Sequence, residues 1–165
     1  MKIMNERITT CGVIIKDRKV LVAKRSVGEV TNSLWEFVGG KNRWGETPEE
    51  TLVREFLEEL GIKVRVGDCL CTSDFVNKDV LYHLKAFLVY PESEDFRLSV
   101  HSETRYVSRD ELSQLDLVPS DRSVAGYLVS NALIDCLSIL PLLNYWGEKN
   151  IFGIRNLYIT GVVYG

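Results

Sequence analysis

Three glutamates, Glu55, Glu58 and Glu59, follow Arg54 in the stretch REFLEEL, a short way after the paired glycines Gly39 and Gly40. On a helix, spacings of i, i+3 and i+4 make the three carboxylates neighbours. Like charges at that spacing weaken a helix by about 0.2–0.5 kcal/mol per pair. They also lie toward the C-terminal end, where the helix dipole disfavours anions. A solvated charged face is one reading of such a stripe. Solvated faces usually mix signs, however, and no lysine interleaves these acids. Clustered hard oxygen donors beside a glycine turn suit a divalent cation, Mg²⁺ or Mn²⁺, and the phosphates it would neutralise.

The helix that must carry them is legible. Thr47-Pro48-Glu49-Glu50 reads as a start, with Thr47 as N-cap, Pro48 in the first turn and Glu50 completing a capping box. Glu49 and Glu50 are thus explained by local structure and by the positive end of the dipole. Gly61 reads as the stop. At about 100° per residue, Leu52, Val53, Phe56, Leu57 and Leu60 share an apolar arc of about 140°. Arg54, Glu55, Glu58 and Glu59 fill much of the other side.

Around this helix the chain reads as strands and helices in alternation. CGVIIKDRKVLVAKR is a hairpin turning at Asp17 and Arg18, and LWEFVGG is a short strand broken by glycines. KVRVGDCLCTSDF, VLYHLKAFLVY and TRYVS read as strands. Ser108 opens a short helix, and a second long helix is expected from about Ser120, as N-cap, to Pro141. The order argues for an α/β (α+β) domain with helices packed on a mixed sheet, spanning residues 1–140. Residues 141–165, apolar, aromatic and dotted with glycines, form a C-terminal extension. An extra hairpin, a cover for a sheet edge, and contact with a second copy of the chain, as in a homodimer, all fit it.

Bulk properties narrow the function. The 165 residues carry a net charge of −3, so no global basic field exists to hold long nucleic acid. A small nucleotide carrying Mg²⁺ remains open, because the metal supplies positive charge. Four cysteines without a C-x-x-C pair, and only two histidines, argue against structural zinc or a disulfide scaffold. Reduced thiols point to a cytoplasmic protein. The N-terminus lacks the apolar run of a signal peptide, and ALIDCLSILPLL is too short to span a bilayer. The chain is therefore expected to be soluble, with no membrane partner.

Counted from Gly40, the segment reads G-x5-E-x7-R-E-U-x-E-E-x-G-U, with Phe56 and Ile62 at the apolar U positions and Glu46 as the first acid. It resembles the Nudix box, the signature of the Nudix hydrolases. The resemblance implies a mixed sheet sandwiched by helices, with the box forming a loop, helix and loop. It implies that Glu55, Glu58 and Glu59 ligate metal, that a backbone carbonyl at Gly39 or Gly40 joins them, and that Arg54 and Glu46 orient the helix. VLVAKRSVGEVTNSLWEFVGGK is similar to the MutT-type subgroup, which hydrolyses nucleoside triphosphates to monophosphate and pyrophosphate, some members preferring oxidised purines. Val38 stands where that subgroup has proline. By the same resemblance Arg25 would contact phosphate, the alternative being a surface cation, and Lys41 is a second phosphate candidate.

HSETRYVSRDELSQLDLVPSDR resembles the subgroup's late segment, with Tyr106 in place of tryptophan. Glu103 is the candidate for a late acid acting as further metal ligand or general base, with His101 and Glu94 as rivals. Asp121 falls where the subgroup reads the base edge. An ionised aspartate only accepts hydrogen bonds, favouring an exocyclic amino group, as on cytosine, or a base N–H. Its alternative role is an early-helix acid. Phe37 is a candidate for stacking on the base, against the more ordinary place in the core, and the same question is open for Trp35. Two other readings share the same box: a Nudix enzyme acting on nucleotide sugars, dinucleotides or dinucleoside polyphosphates, and a nucleotide sensor without turnover.

Overall fold

The computed structural model describes residues 5–26 and 33–136. Two antiparallel-rich sheets carry the fold. The first has the order β5-β1-β7-β6, built from β1 (Asn5–Val13), β5 (Gly39–Lys41), β6 (Val64–Asn77) and β7 (Val80–Pro91). β1 and β7 run parallel, whereas β1–β5 and β6–β7 are antiparallel, so this sheet is mixed as expected. The second sheet centres on β3 (Lys19–Arg25), which pairs antiparallel with β2 (Ile15–Lys16), β4 (Trp35–Glu36) and β8 (His101–Val107). The expected hairpin turns at Asp17 and Arg18, both at positive φ (48° and 60°), the backbone of a tight two-residue connection.

LWEFVGG does not form one strand. Trp35 and Glu36 pair in the second sheet, then Gly39–Lys41 pair in the first, so this short run ties the two sheets together. Val38 in the middle is buried, and its carbonyl accepts from the Gly12 N–H at 2.8 Å.

Helix α1 (Pro48–Leu60) covers one side, and α2 (Arg109–Gln114), α3 (Arg122–Ser130) and α4 (Leu133–Cys136) the other. The packed face of α1 is narrower than its apolar arc. Leu52, Phe56 and Leu60 are fully buried among Ile14, Leu21, Val38, Phe87 and Val89, but Val53 and Leu57 are about half exposed. A helix laid on a sheet buries one i, i+4, i+8 row, and those two residues sit beside it. On the far side, Cys11, Val22, Phe37, Leu84 and Ala86 pack against Leu112, Val124, Leu128 and Ile134.

The second long helix is broken. A 3₁₀ turn at Pro119–Asp121 precedes α3, and Ala132, at φ 51°, separates α3 from α4. Ser120 does not cap it. Its hydroxyl donates instead to Asp121 Oδ1 at 3.0 Å. Ser108 does cap α2, with Glu111 completing a capping box. The extension at 141–165 lies outside the described residues. Among the described residues no helix is long and apolar enough to cross a membrane.

Candidate active site

Thr47 accepts from the Glu50 N–H while the Glu50 carboxylate accepts from the Thr47 N–H, which fixes the start of α1. Gly61, at φ 67°, ends it in the left-handed region. The segment after β7 then laces the last turn. Arg97 N–H donates to Leu60 O at 2.8 Å, Ser99 N–H to Glu59 O at 3.1 Å and Ser99 Oγ to Glu58 O at 2.8 Å. These bonds satisfy carbonyls that a helix end leaves without partners, and they bring His101, two residues on, toward Glu59 on the acidic side of α1.

Arg54 organises that side. Its Nε and Nη2 donate to Glu46 Oε1 and Oε2 at 2.6 and 3.0 Å. Its Nη1 bridges Glu55 at 2.7 Å and Glu58 at 3.2 Å, and Nη2 reaches the Lys41 carbonyl at 3.4 Å. The Arg54 guanidinium, with the Arg43 N–H and the Thr51 hydroxyl, holds the Glu46 carboxyl down at about 2. Arg43 adds a second cation to Glu58, at 3.3 Å.

Gly40 lies directly against this cluster. A Cβ there would stand 2.3 Å from Glu55 Oε1, so only glycine lets the strand and the carboxylate approach this closely. The Gly40 carbonyl accepts from Thr9 Oγ1 at 3.0 Å, and Gly39 pairs with Cys11 on the same strand. Glu55 and Glu59 are well shielded, with side chains 13% and 18% exposed, while Glu58 is 46% exposed.

Burial, with the negative charges of Glu55 and Glu36, pushes the Glu59 carboxyl up to about 8. Among the described residues no three His, Cys, Asp or Glu side chains form a preformed metal cage, because Arg54 draws Glu55 and Glu58 onto itself. The donor set nonetheless fits a divalent cation. It consists of hard oxygens with surplus negative charge beside a backbone that glycine has cleared.

A second group faces the same helix from the other sheet. Arg25 Nε donates to Glu36 Oε2 at 2.8 Å, and His101 Nε2 lies 2.9 Å from Glu36 Oε1. The other ring nitrogen of His101 points toward Glu59 Oε2 at 3.9 Å. Sequence reasoning assigned nothing to Glu36. The available signal was an acid enclosed by Trp35 and Phe37 in a short apolar strand.

Asp121 is buried, and its Oδ2 accepts from the Phe37 N–H at 2.7 Å. Burial raises its carboxyl to about 7 against the opposing pull of the Phe37 and Ser120 hydrogen bonds. The backbone bonds Trp35 N–H to Asp116 O and Val118 N–H to Trp35 O, both 2.9 Å, dock the segment before α3 on β4 and carry Asp121 under Phe37.

Two expectations are corrected, base stacking by Phe37 and phosphate contact by Lys41, and the question left open for Trp35 is answered. The Phe37 ring is buried in the core among Cys11, Val22 and Leu84, and only its backbone serves Asp121. Trp35 is likewise buried, with Lys24 and Arg105 over its ring. Lys41 points to the face of its sheet opposite the Gly40 side, with Nζ 5.2 Å from the Tyr82 ring, and lines a polar cavity of about 630 Å³ with Arg7 and Lys78.

Glu103 is exposed and pairs with Lys24 rather than joining the acids of α1. The bulge between Lys24 and Arg25 leaves Ser102 as an extra residue, so His101 and Glu103 fall on opposite faces. Glu94, the other rival, pairs with Lys16 and Tyr106.

The NUDIX domain family model matches residues 6–127. The CTP pyrophosphohydrolase of Escherichia coli is 33% identical over 109 residues, covering 66% of this chain and 81% of that protein. The 8-oxo-dGTP diphosphatase of Proteus vulgaris is 41% identical over 81 residues, covering 47% and 70%. The solution structure of the E. coli ORF135 protein superposes with a TM-score of 0.71 at 28% identity, covering 78% of this chain and 92% of that one. A box intact at every position, on a helix braced against a glycine strand within this fold, therefore belongs to a pyrophosphohydrolase: the chain is a member of the Nudix family, whose hydrolases generally depend on a divalent metal.

Proposed function

We propose that this protein hydrolyses a nucleoside triphosphate, a cytidine or oxidised purine nucleotide, to the monophosphate and pyrophosphate, with Mg²⁺ or Mn²⁺ as cofactor. The observation that carries this reading is the convergence of Glu55 and Glu58 on Arg54, itself gripped by Glu46, directly against Gly40.

Glu55, Glu58 and Glu59, with the Gly40 backbone, would hold the metal. When bound, such a cation neutralises phosphate charge and acidifies water. The chain's own residues do the rest. Glu46 and Arg54 fix the carboxylates in place. One carboxylate of the cluster accepts a proton from the attacking water, whose oxygen bonds to the β-phosphorus. The bridging oxygen leaves with the monophosphate. Positioning and electrostatics supply most of the rate.

Arg25, on the same face as Glu36, lies next to the helix and suits a phosphate contact. Asp121 suits a base that offers an amino group, as cytosine does, once its carboxyl has released the proton that burial holds up to about 7, because the carboxylate then only accepts hydrogen bonds. The relatives whose names specify CTP and 8-oxo-dGTP support both halves of this choice. The four free cysteines fit a cytoplasmic site of action.

The deciding assay measures pyrophosphate release from normal and oxidised nucleoside triphosphates with Mg²⁺ and with Mn²⁺. A Glu58→Gln variant should retain the fold and lose turnover by at least about 100-fold, the scale for removing a group that stabilises the transition state. Near wild-type turnover in that variant, or no pyrophosphate from any of these substrates, would refute the proposal.

A further inference from the structure

His101 is the most confined ionisable side chain facing α1. It is fully shielded from solvent. Its Nε2 is committed to Glu36 Oε1 at 2.9 Å, and Glu36 in turn is tied to Arg25. Its Nδ1 is a buried polar atom with no hydrogen-bond partner among the described residues. A group of that kind ordinarily costs about 1–3 kcal/mol when buried, and native structures keep few of them. The nearest charged oxygen is Glu59 Oε2, at 3.9 Å.

Both partners are held from several directions. Ser99, two residues before His101, is bonded through its N–H and its hydroxyl to the Glu59 and Glu58 carbonyls. On the other side, β8 pairs His101 with Arg25, and β4 pairs Glu36 with Ala23. The ring therefore has little freedom to turn away from Glu59.

We propose that His101 is a positioning residue for Glu59: the relay Arg25–Glu36–His101 presents Nδ1 as a fixed stop against which the Glu59 carboxylate is oriented for its work in the cluster. With a hydrogen on Nδ1 as well as the one Nε2 donates to Glu36, a small rotation of the Glu59 carboxylate closes the 3.9 Å gap to a hydrogen bond in which Nδ1–H donates. A histidine serving only to satisfy Glu36 would not need its second nitrogen directed at an acid of the metal-binding helix. This inference rests on the phosphohydrolase reading above, and its test separates the two.

Two substitutions divide the ring. Glutamine places its amide near the Nε2 position and keeps the Glu36 contact, whereas asparagine reaches the Nδ1 position and keeps the Glu59 contact. Mn²⁺ binding, with the metal alone, is titrated by electron paramagnetic resonance. His101→Gln should weaken it about 10-fold, the scale for losing a group that orients a ligand, and lower kcat with KM for nucleotide unchanged. His101→Asn should recover most of that loss. Wild-type Mn²⁺ affinity in His101→Gln, or equal losses in both variants, would overturn the proposal.

A measurement on the unsubstituted protein guards against variants that fail to fold. In ¹⁵N-histidine-labelled enzyme, added Mg²⁺ should move the His101 Nδ1 resonance and leave His83, on β7 between Asp74 and Glu6, in place. An unmoved Nδ1 counts against the relay. If the wild type binds Mn²⁺ but hydrolyses no nucleotide, the functional reading falls, while the metal titration still decides the role of His101.

Discussion

Arg54 grips Glu46 with two parallel hydrogen bonds, 2.6 and 3.0 Å, eight residues back across the start of the helix. The same guanidinium touches Glu55 and Glu58 with its remaining nitrogen. One planar fork thus joins the loop that opens the box to the carboxylates that do its chemistry. A lysine could not make this arrangement, because an ammonium lacks the bidentate geometry.

Arg54→Lys and Glu46→Gln should therefore fold and yet bind Mn²⁺ about 10–100-fold more weakly, as expected when the support of a ligand is removed. Because the Glu46 carboxyl is held at about 2 in the folded protein, its contribution is complete above its unfolded value and is lost only as pH falls toward 2. Metal binding at neutral pH should not vary through Glu46. Equal Mn²⁺ affinity in wild type and both variants would show that the fork is ornamental.

Gly40→Ala tests the close approach of strand and helix. The new methyl would fall 2.3 Å from Glu55 Oε1, well inside contact distance. The carboxylate has to swing away, since the backbone on either side is held in the sheet. Turnover should drop at least about 10-fold, an effect of the size that small displacements in an active site produce, with the circular dichroism spectrum retained. Full activity would mean that Glu55 need not lie beside Gly40.

Asp121 predicts a pH dependence of stability. Burial raises its folded-state carboxyl to about 7. Below about pH 4, an acid range set by the ordinary carboxyl value, folded and unfolded chains both carry the proton. Between there and about 7 the unfolded chain has released it and the folded chain keeps it, so stability falls as pH rises through that window. Asp121→Asn, which cannot ionise, should flatten the curve of melting temperature against pH over this range. An unchanged slope would assign the dependence to other groups.

Among the described residues Phe56 is the largest fully buried side chain. It packs so closely on Gly12 that a Cβ there would meet its ring at 2.4 Å. Phe56→Ala should cost about 3–5 kcal/mol, read from the denaturant midpoint at constant slope. Leu57→Ala, at an exposed position, should cost less than about 1 kcal/mol. Similar costs for the two would contradict the narrow packed face of α1.

The helix of the box was legible because its rules are local. Thr47, Glu50 and Gly61 act on neighbours within a few residues, and the spacing of Glu55, Glu58 and Glu59 on one helix face follows from helix geometry alone. The same holds for Ser108 and the turn at Asp17 and Arg18. The broken second helix was not legible, since Pro119 and Asn131 act through a docked 3₁₀ turn and a left-handed Ala132 rather than through a strong local stop.

By itself, then, the sequence settled the family, the helix and the acids it carries, because each is written into contiguous residues at fixed spacing. Tertiary structure alone decided which distant groups meet them. Strand register and one extra residue at Ser102 sent His101 toward Glu59 and Glu103 to the opposite face. Sheet alternation turned Lys41 away from the acids while Gly40 stayed among them. Docking of residues 116–118 on Trp35 carried Asp121 beneath Phe37. In each case the deciding contact joins segments far apart in the chain, so the pairing of strands had to form before the side chain had a direction.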